Sequence, residues 1–439
     1  MFDGDVPRAE ADIGLGFFAT DTPGIGGQIK THAEDFRVAE DSAPVREARG
    51  EGKYTLARIR ARNWETHRLA RKLAKHLGIA EREVYFTGTK DKRAVTEQNI
   101  AIQAPEQRVR EISLGDVTVV DTWRVDRAPK LGEHEANTFH VTVRDLDPGL
   151  DEARRRAEAI RDEVLEMGGF PNFFGPQRFG SVRPVTHRVG RQLVHGNLED
   201  AVWTYIAYPS RHDPPRIREE REEIFASRDV ECARESLPER FDHEHRMLEH
   251  LAEDPDDAVG AIHTLPLNLA RLFVSAYQSY CFNRALTERA QTGHPGQAEQ
   301  GDVLVPVDPR GNPDKDRNIP VREANADRCG DATRRGWGLP TGLLPGYDEG
   351  PADALQGDIE RRILEDEGIS TEDFHLLELP KLSADGTRRP MWCPLETCEV
   401  EAGCDDRGDH VTVSFTLPKG NYATCLLREF MKTDLAAYR

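Results

Sequence analysis

The chain has 439 residues, 38% of them hydrophobic and 31% charged, with a formal net charge of −19. That length exceeds one ordinary core, so two or three domains are expected, and no run approaches the roughly 18 uninterrupted apolar residues of a membrane helix. The acidic start, Met1-Phe-Asp-Gly-Asp5, lacks an apolar signal-peptide core, so a cytoplasmic protein away from membranes is expected.

The negative charge argues at first against nucleic acid, because phosphate binding usually leaves a basic footprint. A second reading fits the distribution better. Acidic residues run through most of the chain and Lys is scarce beside Arg, a pattern that keeps proteins hydrated in molar salt. At such ionic strength the Debye length is about 3 Å, so long-range charge matters little. An RNA-binding protein there must lean on stacking, shape and base contacts. Among the seven cysteines, the spacing of Cys393, Cys398 and Cys404 matches no common zinc pattern. Reduced thiols and no metal site are expected.

In chain order, Glu34-Asp-Phe-Arg-Val-Ala-Glu40 and Lys53-Tyr-Thr-Leu-Ala-Arg-Ile59 alternate apolar and polar residues, as strands do. The period then changes. Leu69, Leu73 and Leu77 recur every four residues and Gly78 follows, which predicts a helix over 64–77. Its other face carries His67, Arg68, Arg71, Lys72 and Lys75, either a solvated face or a phosphate contact. Val84-Tyr-Phe-Thr87 reads as a short buried strand and Gly88-Thr-Lys-Asp-Lys92 as the turn after it. A strand is expected over 137–146, a helix over 151–167, and a Gly-bounded loop over 173–180. Residues 210–257 read as solvated helices and 269–286 as another helix. The Gly, Pro, Asp and Asn content of 293–350 predicts an irregular stretch. A strand over 411–417 and a helix from about Tyr422 close the chain. The pattern suggests one α/β domain interrupted by a second.

Three segments could carry chemistry. In Gly88-Thr-Lys-Asp-Lys-Arg-Ala-Val-Thr96, three cations crowd Asp91 and keep it ionised, as a nucleophilic or electrostatic carboxylate at an anomeric carbon requires. A solvated hairpin turn would look the same. In Asn172-Phe-Phe-Gly-Pro-Gln-Arg-Phe-Gly180, an aromatic ring could stack on a base while amide and guanidinium groups reach its edges, or the rings could plug a core. In Leu417-Pro-Lys-Gly-Asn-Tyr-Ala-Thr424 a strand ends at Lys419-Gly420 and a helix begins, a place that favours an anion. One turn on, Arg428 could pair with a carboxylate of the site or with a nearby surface acid.

In this order, and with Asn63-Trp-Glu-Thr66 and Ala276-Tyr-Gln-Ser-Tyr-Cys-Phe-Asn283 between them, these segments closely resemble the TruD family of pseudouridine synthases. The resemblance implies an α/β (α+β) catalytic fold around a mixed, largely antiparallel sheet. It places an inserted α/β TRUD domain at 193–385, between catalytic portions 1–192 and 386–439. It implies isomerisation of uridine to pseudouridine in tRNA, usually at uridine 13, with no cofactor, metal or obligate protein partner. It puts the catalytic aspartate at Asp91 and the uracil-stacking aromatic at Phe174. Asn172 and Gln177 join the same pocket wall, Arg178 and Lys419 become substrate-binding candidates, and Lys90 or Arg428 becomes the basic partner. Two other readings remain: a non-catalytic RNA-binding protein of this fold, and a carboxylate hydrolase whose second acid could only be guessed at Glu40 or Glu429.

Overall fold

The computed structural model describes residues 6–42, 52–90, 92–180, 183–211, 213–314 and 316–438. Nine strands form one mixed sheet. Seven lie side by side in the order Cys398–Asp405, Gly408–Pro418, Ala136–Leu146, Phe36–Asp41, Val95–Ile102, Tyr54–Arg62 and Val117–Val125. Gly26–Gln28 adds to Ala136–Leu146, and Val84–Phe86 adds to Val95–Ile102. Every pairing is antiparallel except Phe36–Asp41 with Val95–Ile102. A parallel pair needs a long crossover. Here it comprises Tyr54–Arg62, the helix Thr66–Leu77 and the short strand Val84–Phe86.

Alternation along the strands decides which face is buried. Val141 opposes Val413, Val143 opposes Val411, and Phe139 stacks on Phe415 with ring centroids 5.3 Å apart. On the other face the same register brings together Thr138 with Thr416 at 2.9 Å, His140 with Ser414 at 2.9 Å and Thr142 with Thr412 at 3.0 Å. Such cross-strand pairs hold register, since a one-residue slip would turn the apolar set outward. The apolar face is covered by Leu150–Glu166, through Ala153, Ala157, Ile160 and Val164, and by Ala423–Met431. At the other end Thr66–Leu77 lays Leu69, Leu73 and Leu77 over Ile59, Ile100 and Ile102. Gly78 ends this helix in the left-handed conformation, φ 64°.

The chain leaves this sheet for a bundle of six helices between Thr186 and His263. The 26-residue helix Leu267–Thr292 is apolar on two sides. Phe273, Tyr277 and Cys281 pack into the bundle, whereas Phe282, Leu286 and Ala290 pack into the core beneath the sheet. One helix is thereby a wall of both cores, which an all-round apolar sequence permits. The helices between 215 and 253 are less purely solvated than their charge suggests, burying Ile224, Met247, Leu248 and Leu251. The expectation of an irregular stretch over 293–350 is corrected. Ile319–Pro320, Val303–Pro306, Gly338–Leu344 and Thr387–Pro390 form, in that order, a four-stranded sheet, and Ala326–Arg334 is a helix. The strands are too short, and too interrupted by Gly and Pro, to show a period. Among the described residues no helix is long and apolar enough to cross a membrane, and all seven cysteines are free.

Candidate functional site

The loop between Val84–Phe86 and Val95–Ile102 carries the Gly-Thr-Lys-Asp motif. Asp91 lies outside the described residues; Lys90 before it and Lys92 after it are described, and Lys92 is exposed. Lys90 is held at both ends. Its backbone N–H donates to Thr66 Oγ1 at 2.8 Å, at the start of the neighbouring helix. Its Nζ donates to Glu40 Oε2 at 3.1 Å, and the two side chains are 6% and 0% exposed. Ser42 Oγ donates to the other oxygen, Glu40 Oε1, at 2.9 Å. Period two puts Glu40 on the buried face with Phe36 and Val38, so the strand end itself aims a carboxylate inward.

The loop is closed from its other side. Gly132 N–H donates to Thr87 O at 2.6 Å, and His134 Nδ1 lies 3.3 Å from the same oxygen. A Cβ on Gly88 would stand 3.1 Å from the His134 ring, so a side chain there would push the imidazole away. Burial, and then the positive charge of Lys90, lower the His134 pKa below its ordinary value. Lys419 joins this group: its Nζ donates to Gly132 O at 2.8 Å and its N–H to Asn312 Oδ1 at 3.1 Å. It can do so because Pro418 and Asp41 both pair with Ala136, bringing the ends of two strands to one edge. Arg310 reaches over from the smaller sheet's loops to Glu135 at 3.0 Å and to Asp41.

From Lys419 the contacts continue to the aromatic loop. Arg389 donates to Gly420 O at 3.4 Å and to Asn172 Oδ1 at 2.6 Å. Its guanidinium lies 4.3 Å from the centre of the Phe174 ring and 5.6 Å from that of Tyr422. Asn283, fully buried, grips the Phe174 backbone: it accepts from Phe174 N–H at 2.8 Å and donates to Phe174 O at 3.1 Å. A cavity of about 130 Å³ opens here, lined by Asn172, Arg388, Arg389, Lys419, Gly420 and Asn421 among others.

The residues singled out by sequence therefore separate into two groups. Lys90, Asn172, Phe174 and Lys419 are joined by the chain of contacts above. Arg178 flanks them, 5.4 Å from the Phe174 ring and bound to Ser279 Oγ at 3.1 Å. Gln177 is exposed on the turn Pro176–Arg178. Phe174 is only 4% exposed, so a base can lie on its ring only if Arg389 moves aside.

Arg428 is elsewhere. It is buried behind Phe173 and bound to Glu10 Oε2 at 2.7 Å and Phe17 O at 2.7 Å. Glu429 accepts from Ala19 N–H at 2.9 Å and Thr20 N–H at 3.1 Å, and burial raises its pKa. The two side chains tie the N-terminal segment to the last helix. Sequence reading missed Arg389, Tyr422, Asn283 and His134, and had Glu40 only as a guess. For Glu40 the signal was present, as a carboxylate in phase with buried apolar residues.

A family model described as tRNA pseudouridine synthase D (TruD) matches residues 12–430. A relative from Methanosarcina mazei named "Probable tRNA pseudouridine synthase D" is 37% identical, covering 98% of this chain and 99% of its own length. One of the same name from Halobacterium salinarum is 35% identical, covering 96% of this chain and 97% of its own. The crystal structure of a TruD protein from Methanosarcina mazei superposes with a TM-score of 0.87 at 36% identity, covering 99% of this chain and all of that one. Sequence and fold agree from end to end, and the chain belongs to the tRNA pseudouridine synthase D (TruD) family.

Proposed function

We propose that the protein isomerises a uridine of tRNA, at position 13, to pseudouridine, with Asp91 as the reacting carboxylate and no cofactor. The observation that carries this reading is the continuous set of contacts from the Lys90–Glu40 pair, through Lys419, to Arg389, Asn172 and Phe174. It joins the residue before Asp91 to the segment that carries Phe174, which supports this reading. The chemistry needs both the carboxylate and an aromatic pocket. The N1–C1′ bond must break, the uracil must turn, and C5 must bond to C1′, with N1 gaining a proton as C5 loses one. The base has to leave its stack, at a cost of a few kcal/mol, and be held in an enclosed pocket. Asp91 either attacks C1′ or takes a sugar proton. The cations beside it favour its ionised form in both cases. Lys90 serves as the loop's anchor, and Arg428 belongs to the frame rather than to the reacting group. Carboxylate glycosidases use two acids at a set distance. Glu40 is bound to Lys90 and Glu429 to backbone amides, so neither supports that alternative.

The test is pseudouridine mapping in unmodified tRNA transcripts incubated, in high salt, with wild type and with Asp91→Ala. Pseudouridine at position 13 with wild type alone is expected. Equal yield from Asp91→Ala would overturn the assignment of the carboxylate. No product from folded wild type would favour the non-catalytic RNA-binding reading.

A further inference from the structure

The helix Thr66–Leu77 is built against its own stability on its outer face. Two ridges of exposed side chains run along it, His67–Arg71–Lys75 and Arg68–Lys72–His76, with successive members about 6 Å apart. Arg71 and Lys75 in the first ridge and Arg68 and Lys72 in the second are like charges at i, i+4, and Arg68–Arg71 and Lys72–Lys75 are so at i, i+3; such pairs each destabilise a helix by a few tenths of a kcal/mol. Arg68 also sits in the first turn, where the helix dipole disfavours a cation. Glu65 is the one acid between Trp64 and Leu77, and its carboxylate is turned onto the His67 and Arg68 amides at 2.8 and 2.9 Å.

Other helices of this acidic chain behave differently. Arg154 pairs with Glu158, Arg155 with Glu152, Arg216 with Glu220 and Arg361 with Asp358. Among the described residues, Arg68, Arg71, Lys72 and Lys75 have no carboxylate within 4.0 Å. The face also has a place in the fold. Its first residue, Thr66, accepts from Lys90 N–H at 2.8 Å, so it begins at the candidate catalytic loop, beside the exposed cations Lys92 and Arg93.

We infer that this face is a phosphate track, holding the sugar–phosphate backbone of the RNA substrate where it leaves the site. The inference rests on the tRNA-isomerase reading for the identity of the polyanion. Four cations with no carboxylate partner among the described residues give a polyanion a surface to meet by direct contact. Spacing along each ridge suits consecutive phosphates, and no base is read by it.

The test is the affinity of the full chain for an unmodified tRNA transcript, measured by fluorescence anisotropy over a salt series. Each phosphate contact contributes roughly fourfold at about 0.2 M salt, so the triple variant Arg71→Ala, Lys72→Ala, Lys75→Ala is expected to bind on the order of fiftyfold more weakly, with a salt slope shallower by about 2 to 3. The charge-preserving variant Arg71→Lys, Lys72→Arg, Lys75→Arg should keep both the affinity and the slope. Arg154→Ala with Arg155→Ala, which removes paired cations from another helix, should leave them unchanged. Wild-type affinity and slope in the folded triple-alanine variant would overturn the track. Helix-dependent binding without pseudouridine formation would leave the track standing and remove the isomerase reading instead.

Discussion

Replacing Glu40 by Gln tests how the loop that bears Asp91 is held. Glu40 and Lys90 are both buried and 3.1 Å apart. At an effective dielectric near 20 their attraction is about 5 kcal/mol before desolvation is subtracted. Glutamine keeps the shape of the side chain and leaves Lys90 as a buried cation without its counter-charge. Breaking a buried pair in this way costs about 3 to 5 kcal/mol, whereas replacing both members with apolar side chains is often close to neutral. Glu40→Gln and Lys90→Met should each lose about 3 kcal/mol in denaturant unfolding at fixed salt. The double variant Glu40→Leu, Lys90→Met should recover most of it. Turnover should not recover, because the loop loses its anchor, and displacement of a reacting group by about 1 Å costs on the order of 100-fold. Stability and turnover measured together on the four proteins decide the matter. Glu40→Gln within about 0.5 kcal/mol of wild type and fully active would refute the anchoring role, since surface-like substitutions behave that way.

His187 and Gly190 supply two further checks. Burial, and then the charge of Arg188, depress the His187 pKa to about 3. The unfolded chain takes up that proton near pH 6.5, so the stability due to a neutral His187 is present above about 6.5 and is lost as pH falls toward 3, amounting to roughly 2 kcal/mol between pH 7 and pH 5. His187→Phe should flatten this part of the curve in denaturant midpoints taken across that range; an unchanged acid slope would remove His187 as its source. Gly190 lets the helix Thr186–Val194 approach Leu267–Thr292, since a Cβ there would stand 2.0 Å from Phe273 O. Gly190→Ala should therefore destabilise by about 1 to 3 kcal/mol despite alanine's higher helix propensity, and a rise in melting temperature would show that the helices part freely.

Local periodicity carried much of the architecture. The four-residue spacing of Leu69, Leu73 and Leu77, closed by Gly78, placed a helix that the structure runs from Thr66 to Leu77. Alternation at 137–146 and 411–417 marked two strands that pair in register from Ala136 to Arg144. These features are visible because each residue's burial follows from its neighbours three, four or two positions away. The aromatic and Lys-Gly motifs stood out by residue type, and the structure links them through Arg389.

What tertiary structure decided involves partners far apart in the chain. Fifty residues separate Glu40 from Lys90, and more than two hundred separate Arg389 from the Phe174 ring it covers. Arg428, four residues beyond Thr424 and on the same helix face, could be read as part of the site, yet Glu10 claims it in the core. The small sheet formed by residues between 303 and 390 was invisible for the same reason. Its short strands are stabilised by pairing between segments far apart in the chain, and such long-range contacts leave no period in the sequence.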